Sequence, residues 1–217
     1  MKQILISIFV ILSIYSKAQF GIGPKAGVEF SSDMILSDNR TIVLHRQPYI
    51  GSTYSLSLML GHGDVFHFQP EFFYSQIGSK YYFEDQNTTY TQQRNYVGVN
   101  TLFDIGFTKD NFRFFGQPGI YVAILSSGLM ETDSSGTITY NTLHSANSMY
   151  GDTGIPLDIG FSFGLGLQYK LGNGWLSFNP KYRFGFMPHS YNSIDVDRMF
   201  FNKSYTLSLS YIFIIGH

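Results

Sequence analysis

Apolar residues alternate with small or polar ones along most of the chain, with a period of two. Over 20–30, Phe20, Ile22, Pro24, Ala26, Val28 and Phe30 fall on one side of the pattern, and Gly21, Gly23, Lys25, Gly27 and Glu29 on the other. That period sends successive side chains to opposite faces of a β-strand. The longest such run, 157–171, sets Ile159, Phe161, Phe163, Leu165, Leu167, Tyr169 and Leu171 against Asp158, Gly160, Ser162, Gly164, Gly166, Gln168 and Lys170. Six more runs stand near 48–60, 65–77, 94–105, 112–125, 175–186 and 205–213. Each has close to the ~9–11 residues that a tilted membrane strand needs.

The connections between runs alternate in length. Stretches 61–64, 106–111 and 172–174 are short and rich in Gly, Asn and Asp, whereas 31–47, 78–93, 126–156 and 187–202 are long and polar. Outer-membrane barrels sort their loops in this way, with short periplasmic turns and long extracellular loops. A soluble barrel would turn the large residues inward and leave Gly, Ser and Thr with few charges as its surface, a poor interface with water. The pattern predicts an all-β fold: an eight-stranded antiparallel up-and-down transmembrane β-barrel. Its Phe, Leu and Ile face meets lipid, and its lumen is only wide enough for side chains.

Composition narrows the class. The 217 residues are 44% hydrophobic and 18% aromatic but only 13% charged, against about 25% charged for an ordinary soluble domain. A mean hydropathy of -0.01 excludes a bundle of membrane helices. No cysteine is present to staple a small scaffold, and a net charge of -1 gives no support to a nucleic-acid partner. Residues 1–18 read as a secretory signal peptide: Lys2, an apolar run from Ile4 to Tyr15, then Ser16-Lys17-Ala18 as a small-x-small cleavage site. The barrel domain is expected to occupy 19–217, in the cell outer membrane.

Four of the seven prolines, Pro24, Pro70, Pro118 and Pro180, fall inside odd-numbered runs with outward parity. Proline donates nothing to a ladder and marks an edge or a bulge inside a sheet, so four at similar heights predict a hairpin repeat, with a bend at one level. The inward charges form the one chemical constellation. Lys25, Glu71, Lys181 and Arg183 are expected near the barrel middle, with Glu29 and Asp158 above them, and Asp104 with Arg113 as a second pair near the periplasmic end. Buried charges persist when paired, so the cluster reads as a salt-bridged plug, with a gated ion path as the alternative. The six histidines are scattered without ligand spacing, so no metal and no cofactor are expected. His189-Ser190 and Ser193, with Asp195 or Asp197, are the nominal parts of a serine hydrolase, but adjacency in sequence makes no triad.

The segment 65–82, VFHFQPEFFYSQIGSKYY, resembles the third strand of the PorT-like outer-membrane β-barrel family of Bacteroidota, chiefly in Pro70-Glu71, Tyr74-Ser75-Gln76 and Gly78. FGIGPKAGVEF at 20–30, residues 113–125, FSFGLG at 161–166, KYRFG at 181–185 and NKSYTLSLSYIF at 202–213 extend the likeness over nearly the whole mature chain, and the Ala18-Gln19 junction is typical of the group. The resemblance implies an eight-stranded barrel in the outer membrane and little about activity, since a part in protein secretion is an analogy from one branch. The expected function is therefore a non-enzymatic barrel with a filled lumen and long outer loops for interaction or envelope integrity. Its expected partners are outer-membrane lipid, the barrel-assembly machinery during insertion, and an unknown loop-binding partner. The alternatives are a lipid A-modifying enzyme and a small ion-conducting pore.

Overall fold

The computed structural model describes residues 19–36, 44–62, 65–83, 87–134, 137–143, 157–187 and 199–215. They form nine strands: β1 (Gln19–Leu36), β2 (Leu44–His62), β3 (Phe66–Phe83), β4 (Thr88–Lys109), β5 (Phe112–Ser134), β6 (Thr137–Leu143), β7 (Leu157–Leu171), β8 (Gly174–Gly185) and β9 (Met199–Ile215). Eight of these close a ring, β1-β2-β3-β4-β5-β7-β8-β9, with β9 returning to β1 and every pairing antiparallel. Closure matters because each backbone group left unpaired in hydrocarbon costs several kcal/mol, and a ring has no edge.

The ring is inside-out relative to a soluble domain. Phe161, Leu165 and Leu209 are 58%, 57% and 59% exposed on its outer wall, while Glu29, Asp104 and Gln117 are wholly buried within. An apolar wall of this extent matches a hydrocarbon solvent, not water. Aromatic residues bracket the wall. Tyr169, Trp175, Tyr211 and Phe213 stand at the short-turn end, as expected of an interfacial girdle, and the cross-strand pairs Tyr54–Tyr74 and Tyr182–Tyr205 stand higher. Tyr74 was expected near a strand end, but β3 continues nine residues beyond it to Phe83.

At the short-turn end two connections are two-residue hairpins. Asp110 (φ 56°) and Gly172 (φ 60°) adopt the left-handed conformation that such turns demand. At the other end the strands outrun the apolar pattern. Residues 31–36, 44–47, 78–83, 88–93 and 126–134, all expected in loops, are strand. β6 is a ninth strand within the expected loop 126–156; it pairs with β5 from Gly128 to Ser134, beyond the level where β7 has ended. The reason is physical: in these extensions the outward face no longer meets lipid and turns polar, while the inward face stays buried but polar (Ser31, Asp33, Ser79, Gln92), so the alternation of apolar and polar residues stops while backbone pairing continues.

The prolines make breaks, not bulges. β1 loses its pairing to β9 at 23–24, β3 to β2 at 69–70, β5 to β4 at 117–118 and β8 to β7 at 179–180, and the register is unchanged across each gap. On its other side each proline stays in register, opposite Leu56, Thr101, Phe163 and Leu207. The barrel is thus four hairpins with continuous ladders, joined by four seams that are each open for two residues. The recorded register shifts lie elsewhere, between Pro48 and Thr53 and between Asn95 and Tyr96. At one seam the lost donor is replaced: Asn179 Nδ2 donates to the Leu165 carbonyl at 2.8 Å, opposite Pro180.

Candidate functional site

The residue after each proline points inward, and these four positions, Lys25, Glu71, Gly119 and Lys181, define one level of the lumen. Lys25 Nζ donates to Glu71 Oε1, and Lys181 Nζ donates to Glu71 Oε2 at 2.5 Å. Ser57 adds a longer bond to Oε1 at 3.4 Å. The fourth position is glycine because no side chain fits: a Cβ on Gly119 would lie 2.4 Å from the Thr101 carbonyl oxygen and 2.7 Å from Leu102 Cδ2.

Two residues further up each strand stand Gly27, Phe73, Tyr121 and Arg183. The Arg183 guanidinium lies 4.7 Å from the Phe73 ring centre and 5.7 Å from that of Tyr121, close enough for cation–π attraction. Its charge is met by Glu29, to which Nη2 donates, and the same nitrogen reaches Ser75 Oγ at 2.7 Å. Ser75 in turn donates to the second oxygen of Glu29. Above this lies a further group. Arg94 and Ser79 donate to Asp33, and Tyr81 adds a bond of 2.6 Å. Asp158 accepts from Tyr121 at 3.1 Å and from Asn202 at 2.7 Å.

Toward the short-turn end, Gln117 Nε2 donates to Asp104 Oδ1 at 2.5 Å, and Arg113 Nη1 stands 3.7 Å from Asp104 Oδ2. Arg113 also donates to Gln168 at 3.1 Å and lies 5.1 Å from the Phe115 ring centre. Phe115 is accommodated by Gly166, where a Cβ would fall 2.0 Å from the ring edge. Among the described residues the lumen therefore holds five buried carboxylates, Glu29, Asp33, Glu71, Asp104 and Asp158, and five buried cations, Lys25, Arg94, Arg113, Lys181 and Arg183. Two cavities between these layers measure about 10 Å³ each, room for one water-sized particle.

Of the expected cluster, the structure joins Lys25 and Lys181 to Glu71 but turns Arg183 away to Glu29. Asp104 and Arg113 face each other at ion-pair distance. Asp33 with Arg94 is a pair that the sequence reading missed, because Asp33 was expected in a loop. The parity of 25, 27, 29 and 31, carried on to 33, would have found it. The proposed hydrolase parts His189, Ser190, Ser193, Asp195 and Asp197 lie outside the described residues, as does the signal peptide at 1–18. No group of three or more His, Cys, Asp or Glu that could hold a metal occurs among the described residues.

No protein-family model matches the chain, and no curated protein matches it in sequence. Among solved structures it is similar to Neisserial surface protein A (TM-score 0.45, 14% identity, 90% of this chain and 97% of that one). It is also similar to the outer membrane protein OprG of Pseudomonas aeruginosa (TM-score 0.44, 14% identity, 91% and 97%) and to the outer membrane enzyme PagL (TM-score 0.36, 16% identity, 90% and 99%). With its closed ring of eight antiparallel strands, apolar outside and charged within, the chain has the fold of a small β-barrel of the outer-membrane type.

Proposed function

We propose that this chain is a non-enzymatic outer-membrane barrel with a closed lumen, which acts through what it carries beyond the outer leaflet. The observation that carries this reading is the filling of the lumen by five acids and five bases, with cavities of only about 10 Å³ between them. Eight strands leave space for side chains alone, and here charged and aromatic side chains use that space. The part left to contact a partner is the extension of β3, β4 and β5 with β6, which is rich in Thr, Ser, Gln and Tyr and exposes Ile138 on β6. Tyr82 and Asn87, Tyr49 and Gln93, and Asn95 and Ser127 are hydrogen-bonded there, at 3.1, 3.0 and 2.8 Å. The expected partners, outer-membrane lipid around the wall and the assembly machinery during insertion, belong to the same proposal. A part in secretion rests on the resemblance of 65–82 to the PorT-like family and gains no further support from the lumen.

The test is ion conductance of the refolded mature protein in a planar bilayer. A silent bilayer with correctly folded barrel supports the closed lumen; stable open-channel steps would replace this reading with a pore. Release of acyl chains from lipid A by the refolded protein would instead make it an enzyme.

A further inference from the structure

The outer wall carries a dent at the seam between β7 and β8. Around Pro180 the side chains of Phe163 and Leu165 on β7, Tyr182 on β8, and Tyr205 and Leu207 on β9 enclose a space of about 210 Å³. The compact proline ring stands among longer side chains, at the point where β8 loses its pairing to β7. Phe163, Leu165, Tyr205 and Leu207 are each about half exposed, so the dent opens outward. Lys181 and Thr206 border it from beneath, but both are buried and turned into the lumen, Lys181 toward Glu71. A molecule arriving from outside therefore meets an apolar surface. The space is smaller than the ~300–1,000 Å³ that encloses a whole drug-sized ligand, and suits a length of one hydrocarbon chain.

A gradient of polarity leads from the dent toward the outer end of the barrel. Alternate residues of a strand share a face, so β9 presents Leu207, Tyr205 and Lys203 in succession on its outward side. Tyr205 packs on Tyr182 with ring centres 4.9 Å apart, and amphipathic rings of this kind sit at the level of lipid head groups. Lys203 follows about 7 Å further along the strand. It is half-buried, makes no ion pair among the described residues, and stands opposite Ser32 of β1, which also faces outward. A lysine stem laid along the wall carries its ammonium into the head-group layer. An apolar dent, a tyrosine pair, then a cation beside a hydroxyl follow the order of a membrane lipid from tail to phosphate.

We propose that the outward face of β7, β8 and β9 binds one singly anionic, phosphate-bearing lipid of the outer leaflet, with an acyl chain in the dent over Pro180 and its phosphate at Lys203 and Ser32. The single unpaired cation matches a single negative charge. A lipid without net charge would leave Lys203 without a counter-ion, and free phosphate would leave the dent empty, so both parts of the site select the same molecule. The inference rests on the reading of the wall as lipid-facing, and adds to it a position and a head group.

The experiment is native mass spectrometry of the refolded barrel, released from detergent micelles that hold equal amounts of dimyristoylphosphatidylglycerol and dimyristoylphosphatidylcholine, which share their tails and differ in net charge. The parent protein is expected to retain one phosphatidylglycerol in preference to phosphatidylcholine. Lys203→Gln should weaken that binding roughly tenfold, the effect of losing one charge-assisted hydrogen bond. Leu207→Trp, which fills the dent and keeps the cation, should weaken it as well. Lys80→Gln, at an outward lysine on β3 three strands away, should leave it unchanged. Equal retention of the two lipids by the parent protein would overturn the proposal, whichever variants refold. So would an equal loss at Lys203 and Lys80, or full retention in Leu207→Trp. Insertion of the parent barrel into phosphatidylcholine vesicles separates the two readings: a barrel that inserts but shows no preference refutes the site alone, whereas one that does not insert refutes the lipid-facing wall and the site with it.

Discussion

Lys181 Nζ donates to Glu71 Oε2 at 2.5 Å, although 110 positions separate the two residues in the chain. With Lys25 on the other oxygen, one carboxylate ties β8 and β1 to β3 across the lumen, so no half of the ring can slip in register without breaking an ion pair. Glu71 is the acid at this level, with two cations depending on it.

Replacing Glu71 with Gln should therefore destabilise the barrel by about 3–5 kcal/mol, the loss typical of a buried pair with one partner removed. Urea unfolding of the refolded protein in lipid reads this directly. A neutral result would mean that the two lysines find other compensation and that Glu71 does not hold the plug.

Leu165 is 57% exposed on the outer wall, close to the level of the proline seams. Leu165→Arg should cost about 2–4 kcal/mol if the wall meets hydrocarbon near its midplane. Thr137→Arg, on exposed β6 above the barrel, should change stability by less than about 0.5 kcal/mol. Equal tolerance at the two positions would contradict the assignment of lipid-facing residues.

The seam between β7 and β8 gives a paired test. Asn179→Ala should leave the Leu165 carbonyl without a donor and cost about 1–3 kcal/mol. In the double variant with Pro180→Ala, a backbone N–H returns opposite that carbonyl, and part of the loss should be recovered. Additive effects of the two changes would show that the amide does not stand in for the missing donor.

Gly166→Ala should push the Phe115 ring aside, a strain of about 1–3 kcal/mol in a packed lumen. Combining it with Phe115→Leu, which shortens the side chain, should reduce the penalty. A double-mutant cycle in the unfolding midpoint checks the coupling, and zero coupling energy would place the ring elsewhere.

The fold was legible in the chain because strand parity is local. Ile159 to Leu171 on one face and Asp158 to Lys170 on the other describe a wall with lipid outside, whatever the neighbouring strands are. The inward direction of Lys25, Glu71, Lys181 and Arg183 followed from the same parity. Their partners did not. Parity says which face a residue takes, whereas the stagger of strands around the ring says which inward residues share a level. That stagger put Arg183 beside Glu29 and Asp33 beside Arg94, and gave Asp158 its hydrogen bonds from Tyr121 and Asn202.

The sequence by itself determined the number of membrane strands, their faces and the alternation of short and long connections, since each depends on residues adjacent along one strand. Only the tertiary structure decided how far the strands rise beyond the membrane and that β6 joins β5 there, because polar residues on both faces carry no periodic signal. It likewise decided that the prolines open seams without shifting register, and which of ten buried charges meet, because those follow from closure of the ring and from distances across its lumen.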